Sequence, residues 1–388
     1  MKEGRRLFPS FFLAGFECST PVTREGRMMH QLQATQHDRF AYDDYRRLLA
    51  VNIHTVREGA PWNLIEQVPG AYDFAPIQQL IDAGRRTGML QIWDLFHYGY
   101  PQDIDPFSPA LAERFARFCE AFVRYVRREY PETRFYTPIN EISFFSWAGA
   151  EVGWWAPFQY QRGWELKKSL VRAAIAGMNA IWNVQPEARF VHPDPLIHVA
   201  VPEGHPELAE AAATYESYMW HGWDMLCGRL EPELGGTPRH LDIIGVNVYW
   251  TGQYEYGKPL EPLDMRDPRR KPLREQLLEA YRRYERPMII GETACWGEWR
   301  APWLRYVVDE SLAAMAQGVD LHGICLYPII DFPQWHTGRF DHWGLWDLVR
   351  VDGHLERVLV PDYHAELLAA QERVAAALGA EAVTGLRG

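Results

Sequence analysis

The sequence contains few cysteines and no long apolar run. Its 388 residues include 5 Cys, scattered along the chain and without C-x-x-C spacing. An odd, scattered set predicts reduced thiols in a soluble, cytoplasmic protein rather than a disulfide framework, and it implies no zinc site. No apolar stretch is long enough to span a bilayer, so we expect no membrane-spanning segment.

The chain also lacks an excess of positive charge. It carries 40 Lys and Arg against 51 Asp and Glu, a formal net charge of −11. Nucleic acids and anionic membranes bind basic surfaces, so we expect neither as a partner. The basic N-terminus superficially resembles a signal sequence, but Pro9 and Ser10 interrupt its apolar stretch. We therefore interpret Phe11 to Phe16 as a first strand.

Aromatic residues, by contrast, are abundant. They make up 14% of the chain and include 16 Trp. Packing between helices and strands accounts for most buried aromatic rings, but Trp in excess of that need is typical of surfaces that bind sugars or other flat ligands. A neutral substrate also fits the charge of the chain better than an anionic one.

Two glutamates follow apolar, strand-like runs. Glu141 ends the run that starts at Phe135, next to Asn140, and Glu292 ends the run that starts at Pro287. In a parallel barrel, the carboxyl ends of the strands form the active site. One such Glu alone is most simply a polar residue at a strand end, but a pair is what glycoside hydrolysis requires: one acid for the leaving oxygen and one group to attack or direct water.

Strand-like and helix-like segments alternate along the whole chain. This order predicts an α/β fold, a single (β/α)8 TIM barrel over residues 1–380, with 381–388 as a C-terminal tail. The predicted strands are Phe11–Phe16, Ile53–Arg57, Leu90–Phe96, the run ending at Glu141, Arg189–His192, Asp242–Tyr249, Met288–Gly291 and Gly323–Tyr327. The predicted helices are His37–Ala50, Ala75–Thr87, Ser108–Arg128, Glu165–Asn183, Pro206–Leu230, Lys271–Tyr284, Trp303–Gln317 and Tyr363–Leu378.

Several motifs resemble those of glycoside hydrolase clan A, nearest to family 1, the β-glucosidase and β-galactosidase family. Thr137–Glu141 resembles its Asn-Glu acid/base motif, and Ile289–Glu292 its nucleophile motif, with Thr-Ala in place of the usual Asn-Gly afterwards. Phe12–Phe16, Asp242–Tyr249 and Asp331–Trp335 resemble further family motifs, in the family's order. The chain is shorter than usual for family 1, so the resemblance implies a divergent relative.

The resemblance implies a retaining, exo-acting β-glycosidase that removes a terminal β-linked sugar in carbohydrate metabolism. It implies a carbohydrate or other small glycoside as substrate, no cofactor and no metal. Glu141 would be the acid and then the base, and Glu292 the nucleophile. Arg57 and Tyr249 match positions that hold the nucleophile; the plainer alternative for Arg57 is a structural salt bridge with Glu58 or another acid.

The resemblance also implies sugar-binding residues. Asn140 matches the residue that binds the 2-hydroxyl, and His97 one near the 3-hydroxyl. Tyr327 replaces a Trp that stacks on the sugar. Gln334 and Trp335 match a Glu-Trp pair that binds the hydroxyls at carbons 3, 4 and 6. Because Gln lacks the charge of Glu, its hydrogen bonds to two hydroxyls would be weaker, and the preferred sugar could differ from glucose.

Other residues extend this interpretation. Glu17 follows the first strand, where the family uses a Gln farther along. Trp154, Trp155, Trp296 and Trp299 are candidates for platforms on the aglycone side, although about half of such loop aromatics would simply pack their loops.

Alternatives remain at this point. A sugar-binding pseudoenzyme would keep the aromatics and lose a catalytic carboxylate, whereas both are present. A metal-dependent hydrolase would need converging ligands, and His54, His97 and His192 form no H-x-H set. A specialised glycoside substrate is a further possibility. Glu298 is a second candidate for the nucleophile, but its spacing places it well into the loop, which favours Glu292. The glycone, linkage, aglycone, oligomeric state and balance of hydrolysis against transglycosylation stay open.

Overall fold

Eight parallel strands close into a barrel in the computed structural model, which describes residues 6–335 and 337–379. The predicted tail at 381–388 lies outside the described residues. The first strand pairs with both the second and the eighth, so the sheet has no free edge. The predicted TIM barrel is confirmed. Its strands are β1 (Phe12–Gly15), β2 (Thr55–Gly59), β3 (Leu90–Asp94), β4 (Phe135–Thr137), β5 (Arg189–Pro195), β6 (Ile243–Asn247), β7 (Met288–Thr293) and β8 (Leu321–Leu326).

Helices cover the outside of the barrel because each buries an apolar stripe against the strands. No helix among the described residues is long and apolar enough to cross a membrane. The main helices are α1 (His37–Ala50), α2 (Ala75–Thr87), α3 (Ala110–Glu129), α4 (Gly163–Val184), α5 (Ala209–Ser217), α6 (Leu273–Tyr284), α7 (Arg300–Ala316) and α8 (Pro361–Leu378). Shorter helices are Gln31–Ala34, Trp62–Ile65, Ile142–Ser146 and His221–Leu226.

The single helix predicted over Pro206–Leu230 is wrong. The chain there forms α5 and the helix His221–Leu226, separated by a 3-10 turn. The second piece packs against the end of β5: Trp223 donates its indole N–H to the His192 carbonyl at 3.0 Å. Gly222 approaches so closely that a Cβ there would lie 2.8 Å from the Asp194 carboxylate. Tertiary packing on β5 therefore overrides helical continuity.

Large apolar side chains fill the barrel and leave its carboxyl end for polar groups. Phe8 packs on Phe135 with ring centroids 5.1 Å apart, near the amino ends of the strands. Gly15 is needed because a Cβ would lie 1.9 Å from the Tyr327 ring. The interior cluster comprises Phe8, Leu13, Ile92, Phe135, Val191, Ile243, Ile289, Cys325 and Tyr327.

A two-stranded hairpin, Trp346–Val351 with His354–Leu359, precedes α8 and is tied to the barrel by buried charges. Arg357 on the hairpin donates to both oxygens of Asp44 at 2.9 Å. His37 lies between Asp44, at 2.8 Å, and Glu58 on β2, at 2.9 Å. Burial alone would lower the pKa of His37, but the Glu58 charge and these hydrogen bonds raise it to about 9.

The raised pKa of His37 predicts a pH-dependent stability. A group of this kind stabilises the fold fully below its unfolded pKa of about 6.5, and the contribution is lost as the pH rises through about 9. We expect the free energy of unfolding to fall by about 3 kcal/mol over this window. Denaturant unfolding between pH 6 and 10 measures it. His37→Gln should flatten the fall, whereas the exposed hairpin variant His354→Gln should keep it; parallel curves for wild type and His37→Gln would contradict the prediction.

Candidate active site

The carboxyl ends of the strands bring polar side chains from distant parts of the sequence into one buried cluster. In a parallel barrel all strands end at the same rim, so residues at or just beyond the ends become neighbours. The cluster comprises the buried residues Glu17, Arg57, Asp94, His97, Asn140, Glu141, Asn247 and Glu292.

Arg57 on β2 lies at the centre of the cluster. Its Nη1 donates to Glu292 Oε1 at 2.9 Å and to the Gly291 carbonyl at 2.8 Å. Its Nη2 donates to Asp94 Oδ2 at 2.5 Å and to Asn140 Oδ1 at 2.9 Å. A single fully buried guanidinium therefore joins β2, β3 and β7 to the segment after β4 and forms ion pairs with two carboxylates.

Both carboxylates that contact Arg57 are held as acceptors. Burial opposes ionisation of Asp94, but the Arg57 charge and the His97 hydrogen bond hold its pKa below the ordinary value. The second oxygen of Glu292 accepts a hydrogen bond from the Tyr249 hydroxyl at 2.8 Å. Glu58, the alternative partner of Arg57, instead accepts hydrogen bonds from His37 and Tyr45, both on α1.

His97 lies in the cluster with its ring orientation fixed by Asn140. The Asn140 carbonyl oxygen accepts from Arg57, so its amide nitrogen must be the group that meets His97 Nε2 at 2.9 Å. Nε2 is therefore an acceptor and the ring proton sits on Nδ1, which faces Asp94 at 3.3 Å and Cys18 Sγ at 3.2 Å.

Three metal-ligand types do converge in the site. One donor atom each of Cys18, Asp94 and His97 lie within 4.8 Å of one another. The Asp94 oxygen of this set already binds Arg57 at 2.5 Å, and the His97 nitrogen carries the ring proton. A cation would compete with both, so the set is better described as a hydrogen-bonded group that orients His97.

Glu141 follows β4 in a left-handed conformation, with φ of 51°. Its backbone N–H donates to the Pro193 carbonyl at 3.0 Å. Asn247 Nδ2 donates to its Oε1 at 2.7 Å, and the Tyr98 hydroxyl is hydrogen-bonded to its Oε2. Burial raises the pKa of Glu141 well above its ordinary value, and the charge of Glu292 raises it further. This carboxyl therefore tends to hold a proton while Glu292 lies against a cation.

Asp194, at the end of β5, supports the segment that carries Glu141. Its two oxygens accept from the Ser143 backbone N–H at 3.0 and 3.2 Å, at the start of the helix Ile142–Ser146. Burial raises the pKa of Asp194 to about 7. Its charge contributes to the raised pKa of Glu141.

Gln334, Trp335 and Tyr327, the residues after β8 that were expected to bind sugar, have different hydrogen-bond partners and surroundings. Gln334 donates to Asp341 and accepts from the Thr337 hydroxyl at 3.1 Å, so its amide is directed into its own loop. Trp335 donates its indole N–H to the Ser19 hydroxyl at 2.9 Å. Tyr327 is buried, with its ring 4.9 Å from the Arg57 guanidinium carbon.

The loop tryptophans separate into packed and exposed sets. Trp155 is 1% exposed and packs between Tyr98, at 4.9 Å, and Trp335, at 5.4 Å. Trp296 and Trp299 are 45% and 44% exposed, so these two remain candidates for binding a ligand on the aglycone side. Glu298, between them, is exposed in the turn Gly297–Trp299.

Glu17 lies just beyond β1, buried beside the cluster. Its Oε1 accepts from the Ser19 backbone N–H at 3.0 Å. Burial raises its pKa; the nearby His97 opposes this and the Glu292 charge adds to it. A carboxylate that burial penalises in this way favours hydrogen-bond donors or positive charge in the space it faces.

No protein-family model and no curated protein matches the sequence. Solved structures do match. The family 1 β-glucosidase from Thermotoga maritima aligns with a TM-score of 0.76 and 11% identity over 95% of this chain and 99% of that one. A hyperthermophilic β-glucosidase mutant aligns with a TM-score of 0.75 and 15% identity over 92% and 99%. The chain has the fold of a family 1 β-glucosidase. The resemblance noted in the sequence is confirmed at this level.

Within this family 1 fold, sequence reasoning missed four residues of the site. Asp94 and Asp194 each lie at the end of a predicted or observed strand, so the signal used for Glu292 was available for them. Asn247 lies in a motif that was recognised but given no role. Tyr98 reaches Glu141 from a backbone with φ of 65°, which no residue pattern indicates.

Asp194→Asn should lower the pKa of Glu141. The variant keeps an acceptor for Ser143 and removes a negative charge that opposes ionisation of Glu141. NMR titration of protein labelled with [5-13C]glutamate, with the Glu141 signal assigned by its loss in Glu141→Gln, measures this pKa. Asp320→Asn, a partly exposed control before β8, should leave the midpoint unchanged. An unchanged midpoint in Asp194→Asn would contradict the prediction.

Proposed function

We propose that this protein is a retaining, exo-acting β-glycosidase, with Glu141 as acid/base and Glu292 as nucleophile. The observation that carries the proposal is the contrast between the two carboxyls. Glu292 binds the Arg57 guanidinium and the Tyr249 hydroxyl, whereas burial and the Glu292 charge favour the protonated form of Glu141. Glycoside hydrolysis by retention needs this division between an ionised and a protonated carboxyl.

The first step would use both carboxyls. Glu292 attacks the anomeric carbon while the bond to the leaving oxygen breaks, and Glu141 gives its proton to that oxygen. The charge on Glu292 disappears as the covalent glycosyl-enzyme forms. Arg57 remains neutralised by Asp94, so the intermediate leaves no unpaired guanidinium.

The second step reverses the roles. Glu141, now ionised, takes a proton from water, and the oxygen of that water attacks the anomeric carbon and releases Glu292. The loss of charge on Glu292 in the intermediate also lowers the pKa of Glu141, since that charge is one cause of its elevation. The same carboxyl is thereby an acid in the first step and a base in the second.

The proposed sugar contacts follow from groups still available in the site. The Asn140 amide uses one N–H for His97, and its second N–H suits the sugar 2-hydroxyl. Tyr327 and Trp335 supply ring surface, and Gln334 would need to turn from Asp341 to reach a hydroxyl. A sugar-like ligand is also supported by comparison. A β-glucosidase from Thermotoga maritima of the same fold has been solved in complex with glucoimidazole.

The two carboxyl roles predict different outcomes for their variants. Wild type should hydrolyse at least one member of a panel of aryl β-glycosides comprising the glucoside, galactoside, fucoside, xyloside, mannoside and glucuronide. Glu292→Gln should lose activity by about 10⁴-fold or more, because no nucleophile remains. Glu141→Ala should keep slow turnover that azide rescues, with a β-glycosyl azide as product identified by NMR.

Glu298→Gln is the matched control, because this exposed residue lies six positions after Glu292, and its activity should equal that of wild type. If Glu292→Gln still forms a labelled covalent intermediate, Glu292 is not the nucleophile. Binding of sugars without turnover of any glycoside would instead favour the sugar-binding pseudoenzyme.

Glu17 predicts discrimination against anionic sugars. Its carboxylate adds to those of Glu292 and Asp94, while Arg57 is already bound to the latter two. A uronic acid would place another negative charge in this buried site, which like-charge repulsion disfavours. We expect Glu17→Gln to raise the kcat/KM ratio of aryl β-glucuronide to aryl β-glucoside by about tenfold or more. A ratio unchanged from wild type would show that Glu17 does not select the glycone.

A further inference from the structure

Both oxygens of Glu141 have hydrogen-bond partners. Asn247 directs its amide N–H at Oε1, at 2.7 Å, so that oxygen remains an acceptor. The partner of Oε2 is the hydroxyl of Tyr98, which is able to donate or to accept. When Glu141 is protonated, its proton therefore has to lie on Oε2, between the carboxyl and the phenol.

Tyr98 is held rigidly in this position. It follows β3 with φ of 65°, and its ring packs on Trp155 at 4.9 Å and on His97 at 4.6 Å. Burial raises the pKa of Tyr98 well above its ordinary value, and the charge of Glu141 raises it further. The phenol therefore keeps its own proton and acts as a neutral hydroxyl throughout.

We propose that Tyr98 is a positioning residue that presents the proton-bearing oxygen of Glu141 to the glycosidic oxygen and stabilises the carboxylate left after proton transfer. The proposal rests on the proposed glycosidase function. Its basis is the placement of the phenol on Oε2, opposite Asn247 on Oε1, so that one oxygen is fixed as acceptor and the other is free to change role.

The proton balance of the step is simple. In the resting site, Oε2–H donates to the Tyr98 oxygen. As the glycosidic bond breaks, this proton passes to the leaving oxygen, and the Tyr98 O–H rotates to donate to Oε2 of the new carboxylate. Tyr98 neither gains nor loses a proton. Hydrogen bonds to a charged acceptor are stronger than those to a neutral one, so this contact gains strength as the reaction proceeds.

Other charges also act on Glu141, and the Tyr98 contribution must be separated from them. Glu292 and Asp194 oppose its ionisation, while the hydrogen bonds from Tyr98 and Asn247 favour it. Removal of the phenol alone leaves these other groups in place. Other titratable or charged groups around the site include Glu17, Cys18, Arg57, Asp94, His97, Lys167, Tyr249 and Tyr327.

The test is Tyr98→Phe, which keeps the ring and its packing, beside Tyr100→Phe, a buried tyrosine two residues farther along the same loop. In Tyr98→Phe the loss of a donor to the carboxylate should raise the pKa of Glu141 and move the alkaline limb of kcat/KM to higher pH. The value of kcat/KM should fall about tenfold for alkyl glycosides, which need a proton on the leaving oxygen, and less than about twofold for dinitrophenyl glycosides. Tyr100→Phe should resemble wild type in each respect.

Equal losses for both leaving groups, with an unmoved alkaline limb, would overturn the proposal and leave Tyr98 with a packing role only. The carboxyl titration gives an answer that does not depend on turnover. With [5-13C]glutamate, the Glu141 midpoint should rise in Tyr98→Phe and stay constant in Tyr100→Phe. A constant midpoint in Tyr98→Phe would reject the role of Tyr98, whereas a raised midpoint in a protein that hydrolyses no glycoside would reject the glycosidase function and keep the Tyr98–Glu141 coupling.

Discussion

The site depends above all on the buried Arg57 guanidinium. It contacts Glu292, Asp94 and Asn140, which come from segments far apart in the chain and meet only when the barrel closes. Removal of Arg57 would leave two buried carboxylates without their cation, and breaking a buried ion pair from one side is strongly destabilising. The same guanidinium therefore links several strand ends and supplies positive charge to two buried carboxylates.

The different surroundings of the two glutamates follow from the position of that cation. Glu292 forms an ion pair with Arg57, whereas the side-chain hydrogen-bond partners of Glu141, Tyr98 and Asn247, are neutral. Neutral donors orient a carboxyl without removing the penalty of burying its charge. Two identical side chains thus lie in different electrostatic surroundings, a contrast that the proposed acid and nucleophile roles require.

The strand order, the barrel and the glutamate pair could be predicted from sequence because each rests on local patterns, an apolar run and the polar residue that ends it. The remaining features depend on tertiary geometry. The role of Tyr98 needs a left-handed backbone, and the break in the predicted helix Pro206–Leu230 results from packing on β5. The orientation of Gln334 depends on Asp341, a partner seven residues away in the same loop.

The buried centre around Arg57 and the rim proposed to bind the sugar differ for a physical reason. Arg57, Asp94, Asn140 and His97 are bonded to one another, so a change in any one leaves a buried polar group unpaired, and the set resists substitution. Glu17 and Gln334 are bonded mainly to backbone or to their own loop, and can differ from the family pattern without that cost. Divergence should therefore concentrate on the side proposed to select the sugar, while the centre proposed to carry the reaction stays within the constraints set by Arg57.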